Sequence, residues 1–227
     1  MATKRETGIA ERKERIFAAA KAILARDGYE SLTTRSLAKA AGLTVPTLYN
    51  LIGDKTQIVS QTLARSVEEV WARLDFDSRS TPLEMADAII DAAYTVIHKD
   101  REYHRSLLSL MDKAGISFAA HPERNDAGAR AAARCVDMAE TTCAKAISMG
   151  LLRGSIPSEE LGQQMFAAYR GPMRDWLEGV IDDAEMLRRQ RRGFYLILAS
   201  DAEDAFRADL IARVHGLVGE TKVGELV

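Results

Sequence analysis

An all-α protein, with a small N-terminal helix-turn-helix domain ahead of a larger helical domain, is the architecture the sequence predicts. Three observations predict it. Apolar residues recur three and four positions apart along most of the chain and nowhere alternate with the two-residue rhythm of a half-buried strand. Proline numbers 5 and aromatic residues make up 6%, in a chain dominated by Ala, Leu, Arg and Glu, a mixture that favours helix over strand. Glycine and threonine divide residues 28–54 into short helical pieces with a tight turn between them.

Taken in order, residues 12–27 form the first predicted helix, since Ile16, Ala19, Ala20, Ile23 and Leu24 make one apolar stripe and Gly28 stops it. Thr33 or Thr34 caps a short helix over 35–41 with Leu37, Ala38 and Ala41 inward. Gly42 breaks the chain, and a third helix follows Thr44 and runs to about Ile52. Gly53-Asp54 opens a long helix over 54–74 whose apolar set is Ile58, Leu63, Val67, Val70, Trp71 and Leu74. The polar stretch 75–82, ending in Pro82, reads as the joint between domains. Residues 1–56 are then the helix-turn-helix domain, linked through helix 54–74 to a domain over 75–227. Further helices are predicted over 83–99, 101–113, 124–149, 158–179, 183–200 and 202–218, with loops at Gly115, His121-Pro122 and 150–157. Gly171-Pro172 lies inside a helical pattern, where a kink or break is expected.

The chain of 227 residues is 47% apolar and 28% charged, a globular profile. It holds no apolar run long enough for a membrane span, and residues 1–10 do not read as a signal peptide, so a cytoplasmic location is expected. Cys135 and Cys143 lie eight residues apart in one helical pattern, about 12 Å along the axis, too far for a disulfide. The net charge of −2 alone argues against nucleic acid, but its distribution does not: residues 1–60 carry +4 and the remainder −6. A basic head on an acidic body points to a head that meets phosphate.

The informative stretch is 32–55, LTTRSLAKAAGLTVPTLYNLIGDK. Two short helices joined at Gly42-Leu43-Thr44 have the shape of a motif whose second helix enters the DNA major groove. At 100° per residue, Leu48, Leu51 and Ile52 share the inward side. The outward side is centred on Pro46 and Asn50, flanked by Val45, Thr47 and Tyr49. Asn50 suits bidentate bonding to adenine, and Val45, Pro46 and the Thr47 methyl suit contact with a thymine methyl. Tyr49 can give its hydroxyl to a phosphate, and Thr44 sits at the positive end of the helix. Thr34, Arg35 and Lys55 would bracket the site and hold the phosphate backbone. A basic arm carrying Lys4, Arg5, Arg12 and Lys13 is a further candidate for the minor groove.

These residues resemble the DNA-binding domain of the tetracycline-repressor (TetR) family. The likeness runs from Arg15 through Gly28, then Leu32-Thr33, Leu37-Ala38, Ala41-Gly42-Leu43-Thr44, Leu48-Tyr49 and Asp54-Lys55, about a quarter of the chain. Two positions depart from the family pattern: Val45-Pro46 stands where members often carry a cation and a small residue, and Ile52 where they usually carry an aromatic one. The resemblance implies a homodimer on a palindromic DNA operator, a repressor rather than an enzyme, released by a small-molecule effector held in the C-terminal domain.

The C-terminal half is less explicit. Its apolar faces are rich in Met, Tyr and Ala, adaptable residues that suit either an ordinary core or a cavity for a largely apolar ligand. The resemblance implies a pocket between the middle helices, near Tyr94, His98, Tyr103, Met111, Cys135, Met138, Phe166 and Tyr169. His98, Asp100 and His104 do not share a metal-binding spacing. No Ser-His-Asp set, HExxH or glycine-rich phosphate loop is present, so neither catalytic residues nor a metal or cofactor is expected. The helices over 158–179 and 183–200 carry more apolar surface than one pair buries, which predicts a four-helix bundle with a second copy. Two other readings remain: a helical small-molecule-binding protein or enzyme whose helix-turn-helix only packs, and a module that docks a protein partner.

Overall fold

The computed structural model describes residues 4–74, 80–113 and 127–219. Its helices are α1 (Lys4–Asp27), α2 (Thr34–Ala40), α3 (Val45–Leu51), α4 (Lys55–Trp71), α5 (Pro82–Lys99), α6 (Arg101–Lys113), α7 (Ala127–Ser148), α8 (Ser158–Leu177), α9 (Asp183–Asp201) and α10 (Asp204–Gly219). Among the described residues no strand forms, and Leu152 and Ala202 make an isolated antiparallel bridge. The all-α expectation holds. The predicted loop at Gly115 and His121-Pro122, and most of the joint at 75–82, lie outside the described residues.

Two boundaries differ from expectation. Helix α1 starts at Lys4 rather than near residue 12, and the backbone of the supposed basic arm is helical. Residues 4–11 carry no apolar stripe, so periodicity could not reveal them, yet Lys, Arg, Glu and Ala are good helix formers. The side chains of Lys4 and Arg5 lie outside the described residues. Helix α8 passes through Pro172 without a break. Proline there removes one helical hydrogen bond, but Met173 and Trp176 in the following turn are buried and hold it in place.

Contacts group residues Met1–Glu69 with Thr95–Ala133 in one compact unit, and Val70–Tyr94 with Arg134–Val227 in another. In the first unit, α1 is the central post. Ile16, Ala20 and Leu24 are essentially fully buried, as are Leu37, Leu48, Ile58 and Leu107 from the helices gathered in the same unit. Helix α6 packs along α1, as do α2 and α3. Lys21 on α1 reaches Asp100 at 2.5 Å and lies over the Tyr103 ring, while Arg65 on α4 pairs with Glu14 and covers the Phe17 ring.

In the second unit α9 packs on both α8 and α10. At the α8–α9 turn the buried Trp176 donates its Nε1 proton to Asp183 at 2.6 Å, and Asp182 caps α9 through the Glu185 N–H. Near the middle of the pair a Cβ on Gly193 would stand 2.8 Å from the Ala168 Cβ, so only glycine lets the helices approach this closely. Tyr195 donates to Asp87 at 2.6 Å and ties α9 to α5. The α9–α10 corner is fastened by Asp201, 2% exposed, whose carboxylate accepts the N–H groups of Gly154 and Ser155 at 2.8 and 3.2 Å.

Candidate nucleic-acid interface

The turn between α2 and α3 is specified atom by atom. Thr33 is the N-cap of α2: it accepts the Ser36 N–H at 3.0 Å, and the Ser36 hydroxyl accepts the Thr33 N–H at 2.9 Å. Helix α2 ends with Gly42 at φ +65°, the left-handed conformation that glycine adopts without strain. The Leu43 N–H bonds back to the Ala38 carbonyl at 2.9 Å and the Gly42 N–H to the Lys39 carbonyl at 3.2 Å. This paired closure engages the Ala38 and Lys39 carbonyls near the end of α2 and redirects the chain within two residues. Thr44 then caps α3, accepting the Thr47 N–H at 3.3 Å, with the two threonine hydroxyls 2.8 Å apart. Pro46 falls in the first turn of α3, where a missing N–H costs nothing because no carbonyl waits for it.

Helix α3 presents the two sides its sequence predicts. Leu48 is fully buried and Ile52 is 7% exposed. Thr44, Pro46, Tyr49 and Asn50 are exposed, while Val45 and Thr47 are half-buried on the flanks. Leu51, expected inward, is half-buried instead: it stands at the margin of the packed side, where α3 is already ending. Tyr49 is 47% exposed, so its ring is not spent on packing. Arg35 is exposed at the start of α2 and Thr34 half-buried beside it. Lys55 opens α4 and stands over the Tyr29 ring, 5.4 Å from its centroid. Asp54 and Gln57 cap each other's backbone at that helix start, which fixes where Lys55 stands.

Two residues of this surface were not singled out in sequence. Lys39 is exposed on α2. Arg15 on α1 reaches over the turn, its guanidinium 3.6 Å from where a Gly42 Cβ would stand. The available signal was a charge bordering the apolar stripe of α1.

The eight residues expected to line a pocket do not all fall in one unit. Tyr94, Cys135, Met138, Phe166 and Tyr169 belong to the second unit, and His98 and Tyr103 to the first. His98 is exposed. Tyr103 is 4% exposed and committed to its own neighbourhood, with the Lys21 ammonium over its ring and the Ser66 hydroxyl as its partner. The Met111 side chain lies outside the described residues. Met138 and Phe166 are buried, and Cys135 is close enough to Tyr169 to help burial raise that phenol. Burial pushes the thiols of Cys135 and Cys143 up to about 12, and both are free. Among the described residues no cluster of His, Cys, Asp or Glu could hold a metal ion. No helix among them is long and apolar enough to cross a membrane.

Fold and surface together define an all-α helix-turn-helix protein, and its first helices are similar to those of tetR-family regulators. Residues 16–62 match the model for bacterial regulatory proteins, tetR family, a span that contains the whole α2–α3 motif. The chain is similar to the HTH-type transcriptional repressor KstR of Rhodococcus jostii, 30% identical over 90 residues, 40% of this chain and 42% of the relative. It is also similar to KstR of Mycolicibacterium smegmatis, 35% identical over 65 residues, 29% of this chain and 32% of that one. The chain thus spans less than half the length of these relatives. Among solved structures, SmeT, the repressor of the Stenotrophomonas maltophilia multidrug efflux pump SmeDEF, superposes with a TM-score of 0.62 at 18% identity, covering 86% of this chain and 92% of SmeT. The full-length TetR regulator tylp from Streptomyces fradiae gives 0.60 at 19% identity, covering 93% of this chain and 97% of tylp. At such identities these likenesses speak for the fold.

Proposed function

We propose that this chain is a transcriptional regulator, a repressor that binds a palindromic DNA operator as a homodimer and is released by a small-molecule effector. The observation that carries the reading is the exposed face of α3: Pro46, Tyr49 and Asn50 stand in solvent while Leu48 and Ile52 anchor the helix from behind. Asn50 would read a base edge, Val45, Pro46 and Thr47 would meet thymine methyls, and Thr34, Arg35, Thr44, Tyr49 and Lys55 would hold phosphates. A homodimer is supported by α8 and α9, next to whose turn Val180 is 69% exposed and on which Leu196 is 47% exposed. Reading a palindrome would require the two α3 helices of such a dimer to lie about 34–36 Å apart, one turn of DNA.

The effector is a largely apolar small molecule in the second unit, near Tyr94, Cys135, Met138, Phe166 and Tyr169. Helices α4, α5 and α7 are each divided between the two units, and α4, which follows α3 directly in the chain, is the element through which a bound effector would act on the head. Such a ligand changes DNA affinity only by binding one arrangement more tightly than the other. The protein would work in the cytoplasm. Mobility shifts with the chain's own promoter region, repeated across salt, test the reading. A regulator shows the log of affinity falling steeply and linearly with the log of salt, because bound phosphates release counterions. A flat salt dependence, or no preference over random duplex, would end it.

A further inference from the structure

We propose that His104 makes the packing of α6 on α1 a proton-sensitive fastening beneath the reading head, closed while the imidazole is neutral and loosened when it is charged. The seam is independent of the regulator reading; only its consequence for duplex binding rests on that reading.

His104 is 5% exposed on α6. Its Nδ1 faces the Asp100 carbonyl of the preceding turn at 3.1 Å, so the neutral ring carries its proton there and donates it. That leaves Nε2 as a lone pair, and Nε2 is buried with no hydrogen-bond partner. A second proton would have to sit on this atom, in a pocket that offers it no acceptor.

The neighbours on each side set the balance. From α1, Lys21 faces the ring and its positive charge opposes a second one. Asp100 would favour the cation, but its carboxylate is held by Lys21 at 2.5 Å. From α4, Glu69 favours the cation from a distance, and Arg65 on the same helix is turned to Glu14 and Phe17. The 3-10 turn Tyr29–Ser31 also touches α6, and its Tyr29 and Glu30 side chains bond to each other. On α6 itself the Tyr103 ring meets the imidazole edge-on, centroids 4.6 Å apart. Burial outweighs the hydrogen bond to the Asp100 carbonyl and the two carboxylates, and the imidazole is held below its ordinary value.

The direction of the response follows. An imidazole freed from the seam takes up its proton near pH 6.5, whereas the packed one resists until a lower pH. The closed seam therefore binds fewer protons than the open one, and its stability is full above about pH 6.5 and is lost as pH falls below it. Each pH unit between the two values shifts the open-to-closed ratio about tenfold. Because α1 also carries α2 and α3, loosening its other side removes support from the helix pair that would read DNA.

Amide hydrogen exchange on the full chain, corrected for intrinsic rates, tests the seam at about pH 7.5 and about pH 5, in wild type, His104→Gln and His104→Phe. Wild type is expected to lose protection of α1 and α6 at the lower pH, by about tenfold for each pH unit that separates the free and packed midpoints. Neither variant should show that loss, and the Phe variant keeps an aromatic ring in the seam should Gln prove unable to fold. Equal protection at both values in wild type, or the same loss in a variant, overturns the proposal. So does an NMR titration of the His104 ring with a midpoint at or above about 6.5. Duplex affinity should weaken over the same interval in wild type and not in the variants; equal weakening in all three overturns the link to the head. A chain that binds no duplex at about pH 7.5 sinks the regulator reading instead, and exchange still decides the seam.

Discussion

Leu48 and Asn50 stand two residues apart on one short helix and should respond to truncation in opposite ways. Leu48 is fully buried beneath α3. Leu48→Ala removes three carbons from that site, each worth about 0.8 kcal/mol in transfer, and leaves a cavity that a three-way helix junction closes only in part. The expected loss of stability is about 3–4 kcal/mol. Asn50 is exposed, and no side-chain hydrogen bond of Asn50 forms among the described residues. Asn50→Ala should leave stability within about 0.5 kcal/mol of wild type. Its expected cost is in recognition: about 1–3 kcal/mol, or roughly 5- to 150-fold in operator affinity, together with relaxed preference at one base position. Urea unfolding reads the first quantity, and mobility shifts on a set of single-base operator variants read the second. The placement of the reading face is wrong if Asn50→Ala unfolds as readily as Leu48→Ala, or if it binds every operator variant as wild type does.

Two other outcomes are expected. Asp201→Ala should cost about 2–4 kcal/mol in urea unfolding, since it removes two hydrogen bonds to a carboxylate while Gly154 and Ser155 remain open to water; Asp201→Asn should retain part of this, and a loss below about 0.5 kcal/mol would show that the α9–α10 corner is held by packing alone. Cys135 and Cys143, with thiols near 12, should react with a disulfide reagent at about pH 8 far more slowly than free cysteine. Both should react at once in denaturant; rapid labelling of the native chain would show the second unit to be looser than its packing indicates.

The α2–α3 motif was legible because its signals are local. Thr33, Gly42 and Thr44 announce caps and a turn by residue type alone, and Leu37, Leu48 and Ile52 fall at helical spacing. The first turns of α1 were not legible, because periodicity marks burial and residues 6–11 are all exposed or half-buried. The expected pocket residues fared differently for a further physical reason. A tyrosine such as Tyr103 is equally suited to a ligand and to a lysine on another helix, and nothing within α6 reveals that Lys21, about eighty positions away, already occupies its face. His104 was weighed as a metal ligand from its spacing, whereas its character comes from the absence of any partner at Nε2, which is a property of the packed seam.

The passage of α8 through Pro172 has a consequence for how that helix exists at all. Proline at 172 gives the Ala168 carbonyl no N–H to meet, and one residue on, the Tyr169 carbonyl accepts a hydrogen bond from the buried Gln190 of α9 at 3.1 Å. Gly193, lacking a Cβ, lets the backbone of α9 lie against Ala168 at this point. Cut from the chain, the segment Ser158–Leu177 would come apart at its proline into two short pieces, each below the length at which a lone helix survives in water. Helix α8 is thus a joint product of two segments, and it becomes one rod only when α9 lies against it.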